Sequence, residues 1–280
     1  ANRLGLDISD IEIVNLRHDR EAERRERYAK RLYAERQRLG VSYNEALEKM
    51  FDRNYFGMMM VNFGDADAFL GGTYSAAHSI GEIAQEVVGI RPSYKHFASM
   101  HIINTKRGTY FLADTQVNKK VDEETLLDIA RLTRNSVEYF AQKPVIAMLS
   151  YSNFGSSDEP ECLNARHVVE RMHDLYPDLL IDGEMSINFA MNRELRDTTF
   201  PFNRLKGEDV NALVFPSLGT AGTAYRMMLE MGVGDVIGPI QMGLNKPIHY
   251  ISVNSPVKTI LNLAAMAAID AQASGSALDR

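Results

Sequence analysis

The 280 residues are 45% hydrophobic and 24% charged, with 31 Lys and Arg against 37 Asp and Glu for a net charge of −6, the composition of a soluble globular protein large enough for one α/β unit or two lobes around a cleft. The cations are spread along the chain rather than gathered into a patch, which argues against nucleic-acid binding, and there is neither a signal peptide nor a run of roughly 18 apolar residues to span a membrane. A lone cysteine, Cys162, excludes an internal disulfide framework and a cysteine-based metal site, and points to the cytoplasm.

The chain opens at Ala1 without Met; residues 2–7 read as the end of a helix entering a strand at 11–14, as if cut from something longer. A helix over about 18–39 carries Glu21–Arg25, Glu23–Arg27 and Glu26–Lys30 at i,i+4, a self-paired solvated face, and ends at Gly40, a left-handed cap. Ser42 and Glu45 have capping-box spacing and open a second helix through Met50. Residues 55–61 fit strand or helix, and their Met cluster reads as core. A short strand at 68–70 leads into the small-residue loop Gly71-Gly72-Thr73-Tyr74-Ser75 and a helix over 77–88.

After Arg91-Pro92, β-rich runs at 100–105 and 109–113 flank Lys106-Arg107-Gly108 as a hairpin. A helix over 123–141, a strand at 145–149 and the loop Ser150-Tyr151-Ser152-Asn153-Phe154-Gly155-Ser156-Ser157 follow, then a helix with Pro160 in its first turn. Cys162, near that helix start, reads as a packing residue. Next come a strand at 179–181, a helix at 184–191, a loop with Pro201 and Gly207, and a strand at 212–215. A second small-residue loop, Leu218-Gly219-Thr220-Ala221-Gly222-Thr223, precedes a helix over 223–231. An apolar run at 236–240 and a strand at 249–251 lead to a last helix, with Ser255-Pro256 as N-cap and N1, reaching about Gln272. That helix has apolar residues on several faces and is expected to be buried around much of its circumference. The alternation predicts a mostly parallel sheet covered on both sides.

Strand, small-residue loop and helix in succession build ligand crevices in such sheets, because free N–H groups and the helix's positive end can hold anions. Three such loops in one chain favour a shared crevice. No P-loop, Gly-x-Gly-x-x-Gly, His-Glu-x-x-His or Gly-x-Ser-x-Gly is present, so no direct support exists for P-loop ATP hydrolysis, Rossmann dinucleotide binding or a zinc-helix protease. His78, after the first loop, is the best histidine candidate; His167 and His173 sit on a charged helix and read as exposed. Asp65 and Asp67 read as turn or cap residues, while for Asp182 and Glu184 a helix-start cap and a cleft role stand level.

Five stretches carry a family resemblance: Asn54-Tyr55-Phe56-Gly57-Met58-Met59-Met60-Val61 with Gly64-Asp65-Ala66-Asp67-Ala68; Leu149 through Ser156; Asp182-Gly183-Glu184-Met185; Gly238 through Pro247; and Asn262 through Gln272. In this order the chain resembles the malic-enzyme branch of the phosphate acetyl/butyryl transferase family. The resemblance implies a three-layer α/β/α architecture of two lobes with a cleft, like isocitrate and isopropylmalate dehydrogenases. Residues 1–92 with 243–280 would form lobe I, and 93–242 a lobe II that dimerises. It implies a homodimer or higher homo-oligomer, joined in one chain to N-terminal malic-enzyme domains, which alone would hold NADP and a divalent metal.

Departures from the family pattern bear on function. Active phosphotransacetylases carry Ser-Arg-Gly with an Asp six residues after the Arg; here stand Ser252-Val253-Asn254 and Thr259. A second family arginine becomes Gly81, within Tyr74 through Glu82, although even the malic-enzyme branch usually keeps Arg-Pro there. The family's Phe-Pro-Asp-Leu…Gly-Asn becomes Phe215-Pro216-Ser217-Leu218…Ala221-Gly222; Arg36 is a weak match to another cleft arginine. Acetyl transfer between a thiol and phosphate needs a base and cations, and losing one such oxyanion contact costs about 3 kcal/mol. The expectation is therefore no catalytic residue and no metal site, with acetyl-CoA held as an effector by Ser75, His78, Ser150, Ser152, Asn153, Gly155, Ser156, Ser252 and Asn254. The alternatives are an active phosphate acetyltransferase using Asp65 or His78 as base, and a purely structural oligomerisation module.

Overall fold

The computed structural model describes residues 5, 7–72, 77–251 and 254–277, without the side chains of 77–79 and 274–277. The chain divides into two units, Ala1–Ala66 and Asp67–Arg280.

The first unit is helical. A 3-10 turn at Asp19–Glu21 runs into α1 (Ala22–Arg36), and a second one at Gln37–Leu39 ends on Gly40 with φ 92°, a conformation a side chain would strain. The capping box forms: Glu45 N–H donates to Ser42 Oγ at 3.2 Å, and Ser42 N–H donates to Glu45 Oε2 at 2.7 Å, opening α2 (Tyr43–Lys49). Residues 55–61 resolve as helix, within α3 (Arg53–Phe63), because Asp52 caps it by accepting from the N–H groups of Asn54 and Tyr55. Buried Phe56, Met58, Met59 and Val61 make the Met cluster core, as expected. Residues 11–14 are not a strand: Ile11 and Ile13 stand exposed with no ladder partner among the described residues.

In the second unit β1 (Phe69–Gly71) pairs in parallel with β8 (Ile248–Tyr250), and α4 (Ala77–Val87) follows β1. A six-stranded sheet is built from β2 (Ala98–Thr105), β3 (Gly108–Ala113), β4 (Val145–Leu149), β5 (Leu180–Met185), β6 (Ala212–Val214) and β7 (Gly234–Met242), in the order β5-β4-β6-β3-β2-β7. Neighbours from β5 to β3 are parallel, and β2 runs against both β3 and β7. The sheet is therefore mixed: the tight hairpin at residues 106–107 reverses one strand inside an otherwise parallel array.

Period-two alternation assigns each strand's residues to opposite faces. Ile146 and Met148 join a cluster with α5 (Glu123–Tyr139), α6 (Pro160–Leu175) and α10 (Val257–Ala277), while Val145, Ala147 and Leu149 join one with α7 (Ile187–Met191) and α9 (Leu218–Glu230). Helices thus cover both faces. Further element expectations fail. β5 runs on to Met185, so the helix expected at 184 starts at Ile187, and α8 (Arg193–Thr199), capped by Asn192, occupies part of the supposed loop. Residues 218–223 are the first turns of α9 rather than a loop, because Ser217 caps them by accepting from Thr220 N–H at 3.3 Å. And α10 buries only one side, through Leu263, Met266 and Ala267, leaving Val257, Leu261 and Ile269 exposed.

Candidate functional site

The chain leaves β4 and β6 toward opposite faces of the sheet, the switch-point arrangement that opens a crevice at the strands' carboxyl ends. Beside it, after β3, the loop 114–118 is fixed by one buried carboxylate. Asp114 Oδ1 accepts from Ser99 N–H (3.0 Å), Ser99 Oγ (2.7 Å), and the N–H groups of Gln116 and Val117 (both 3.2 Å). Its Oδ2 accepts from the backbone and side-chain N–H of Asn118, both at 2.7 Å. This spends the backbone donors of residues 116–118 internally and fixes the shape of the loop.

That loop is one wall of a cavity of about 230 Å³. Gly81, Glu82 and Gln85 of α4 form the second wall, residues 95–97 before β2 the third, and Tyr250 of β8 closes it. A Cβ on Gly81 would lie 3.1 Å from Phe97 Cζ and 3.5 Å from the Tyr250 hydroxyl, so position 81 faces the cavity interior. Burial, with the Asp114 charge adding to it, raises the Tyr250 phenol above its ordinary range and keeps it a hydrogen-bond donor. Among the described lining residues the one lysine is exposed Lys95, which pairs with Glu124 at 3.0 Å, and the one histidine is His96. No arginine is among the described lining residues.

The sequence-derived candidates divide. Ser75 and Ser252 lie outside the described residues; Ser252 follows Tyr250 by two positions. His78 is on α4 one turn before Gly81, its side chain outside the description, and Asn254 is exposed in the turn before α10. The loop Ser150–Ser157 does not line this cavity among the described residues. Its polar groups face one another instead: Ser152 Oγ and Gly155 N–H both donate to Glu184 Oε1 at 2.9 Å, and Asn153 N–H donates to Ser156 Oγ at 3.0 Å. Ser186 N–H and Oγ both donate to Asn153 Oδ1 at 2.9 Å, and Ser150 Oγ lies 3.3 Å from buried Cys162 Sγ.

Glu184 is fully buried, with Arg166 Nε 3.4 Å from its second oxygen, so it is a clamp on that loop rather than a helix cap. Asp182 likewise is no cap; it accepts from Arg204 N–H at 2.6 Å and fixes the loop before β6. Asp65 accepts from Arg27 and Tyr28 within the first unit, and burial ahead of Asp65 pushes the Tyr28 phenol up to about 12. Cys162 packs, as expected, and exposed His167 pairs with Glu123, whereas His173 is half-buried and its Nε2 lies 2.8 Å from the Ile181 carbonyl oxygen.

Sequence reasoning missed the cavity's own polar groups, His96, Gln116, Asn118 and Tyr250, because no motif spacing joins residues from three separate segments. A second cavity of about 500 Å³ lies against α5 and α10, one of its lining residues being Asp270, whose Oδ2 meets His249 Nε2 at 2.8 Å; none of the described sequence-derived site residues lines it. Among the described residues no cluster of three His, Cys, Asp or Glu side chains could hold a metal, and no helix is long and apolar enough to cross a membrane.

Residues 1–268 match the family model described as phosphate acetyl/butaryl transferase. The chain belongs to that family. Within it, the chain is 34% identical to an NADP-dependent malic enzyme of Salmonella typhimurium, over 96% of this chain and 36% of that protein. It is 30% identical to a phosphate acetyltransferase of Thermoanaerobacterium thermosaccharolyticum, over 96% of this chain and 83% of that one. It therefore spans about a third of the length of the malic enzymes it matches. Among solved structures, a phosphotransacetylase from Streptococcus pyogenes superposes with a TM-score of 0.85 at 28% identity, covering 96% of this chain and 81% of that one. The EutD phosphotransacetylase of Staphylococcus aureus gives 0.80 at 26% identity, covering 98% and 82%.

Proposed function

We propose that this transferase-like chain is the regulatory and assembly region of an NADP-dependent malic enzyme, binding acetyl-CoA as an effector and not transferring its acyl group. One observation carries the reading: the cavity at Gly81 has polar, mostly neutral walls and no guanidinium among its described lining residues. Phosphoryl groups need cationic clamps in a site that exchanges acyl groups with phosphate, and each lost donor there costs orders of magnitude in rate. A thioester, being neutral, needs only hydrogen bonds and apolar contact, which Tyr250, Gln116, Asn118 and Phe97 supply.

The parent reaction, oxidative decarboxylation of malate to pyruvate, belongs to the remainder of the longer relatives, where NADP and a metal would also reside. The chain would work in the cytoplasm as a dimer or larger homo-oligomer. Its two lobes, with the β1–β8 sheet, α4 and α10 in one and the six-stranded sheet in the other, would be arranged as in isocitrate dehydrogenase. Regulation then requires acetyl-CoA to bind two states of the assembly with different affinity. Calorimetric titration with acetyl-CoA tests the binding: saturable heat supports it, and no heat or thermal shift at millimolar ligand leaves only the assembly role.

A further inference from the structure

His96 in the cavity wall pairs with Asp128 of α5, and effector binding has no task for the pair. Asp128, buried in α5, accepts from Lys95 N–H at 2.9 Å and His96 N–H at 3.0 Å through Oδ2, and the same oxygen lies 3.2 Å from His96 Nδ1. Arg131 stands 3.5 Å from its other oxygen. An ionised carboxylate only accepts, so Nδ1 donates to it, and in the neutral ring Nε2 is then the nitrogen with the lone pair. Nε2 has no hydrogen-bond partner among the described residues, and the side chain, 35% exposed, lines the cavity. This is the arrangement of a general base oriented by a carboxylate.

The other charges around the ring are Asp122, Glu82 and Lys95. The Asp122 carboxyl is held below its usual range chiefly by Thr125 N–H, with His96 contributing. Exposed Glu82 lines the α4 wall, and Lys95 is drawn off to Glu124. Carboxylates on two sides stabilise the imidazolium that a base forms in turnover, while Arg131 and Lys95 oppose it.

The base stands in a wall with one exposed lysine and no arginine among its described lining residues. Such a lining favours an uncharged nucleophile, water, over phosphate. We propose that the cavity slowly hydrolyses the acyl thioester it binds, with His96 as general base and Asp128 as the residue that positions it. Water attacks the acyl carbon as its proton moves to His96 Nε2. The tetrahedral adduct then expels the thiolate by breaking the carbon–sulfur bond, and the imidazolium returns the proton to sulfur. The products are the free acid and the CoA thiol, with no change of oxidation state. The inference rests on thioester binding as proposed above.

The test follows thiol release from acetyl-CoA by the full chain with a thiol-reactive dye, beside calorimetry of acetyl-CoA binding. The wild type should release thiol about a hundredfold faster than His96→Asn, the usual worth of a general base, with binding kept and no dependence on added phosphate. Asp128→Asn should shift the acid limb of the pH–rate profile to lower pH, because the imidazolium loses its carboxylate; a purely structural Asp128 would lower the rate equally at all pH. Binding with no release above that of His96→Asn overturns the hydrolase and leaves the effector reading standing. Absence of binding overturns both, and release that requires phosphate makes the cavity a transferase.

Discussion

Gly81 decides what the cavity can hold. Written as a sequence it is only a missing arginine; in the fold its α-carbon faces Phe97 and the Tyr250 hydroxyl. Gly81→Arg should restore an anion contact at a steric cost, since the new Cβ would sit 3.1 Å from Phe97 Cζ and the ring must give by a few tenths of an ångström. We expect about 1 kcal/mol lost in denaturant unfolding from the crowding. We also expect roughly tenfold tighter acetyl phosphate binding, the worth of one charge-assisted hydrogen bond. A second residue-scale prediction concerns His101, invisible to motif reading because its surroundings are tertiary. It stacks on Tyr225 at 4.2 Å, and burial, then Arg226, push its pKa down to about 3. The unfolded chain protonates this imidazole near pH 6.5 and the folded chain does not, so stability is untouched above about pH 6.5 and falls as pH drops toward 3. The slope should be about 1.4 kcal/mol per pH unit, read by urea unfolding at several pH values, and His101→Phe, which keeps the stack, should flatten it.

Elements were legible wherever the signal was local. The Ser42–Glu45 box, the Gly40 stop, the hairpin at 106–107 and Pro160 in the first turn of α6 all formed, because each depends on residues within a few positions of one another. Ser42→Ala should therefore cost about 1 kcal/mol in denaturant unfolding. The misreadings lie where small residues have two uses. In 218–223 they looked like a loop; in the fold the Ser217 cap makes them the first turns of α9, with Ala221 and Gly222 buried. The Ser150 loop shows the opposite case: its position was legible, but the buried carboxylate that takes its donors was not. Glu184→Gln leaves Arg166 facing a neutral amide, and should destabilise by roughly 2–3 kcal/mol, less than a fully buried pair because Arg166 is 26% exposed. Thermal unfolding of the variant beside Ser152→Ala would separate the lost ion pair from the lost hydrogen bond.

At the scale of the molecule, alternation of strands and helices was enough for the α/β class, and the family resemblance was enough for the lineage that the comparisons then showed. The hairpin gave β2 its reversed direction, but sheet order was not legible, because the other pairing partners sit far apart in the chain. Nor was the exposure of α10: apolar residues on several faces say that a helix can be covered, not which side is. The central claim joins these scales: a transferase fold would carry a cavity that binds acetyl-CoA without clamping phosphate. The most direct measurement is an assay of acetyl phosphate and CoA as substrates at saturating concentration, with acetyl-CoA affinity determined on the same preparation. The account predicts measurable affinity and no phosphate-linked formation of acetyl-CoA. Sustained turnover at the rate of an ordinary transferase would contradict it.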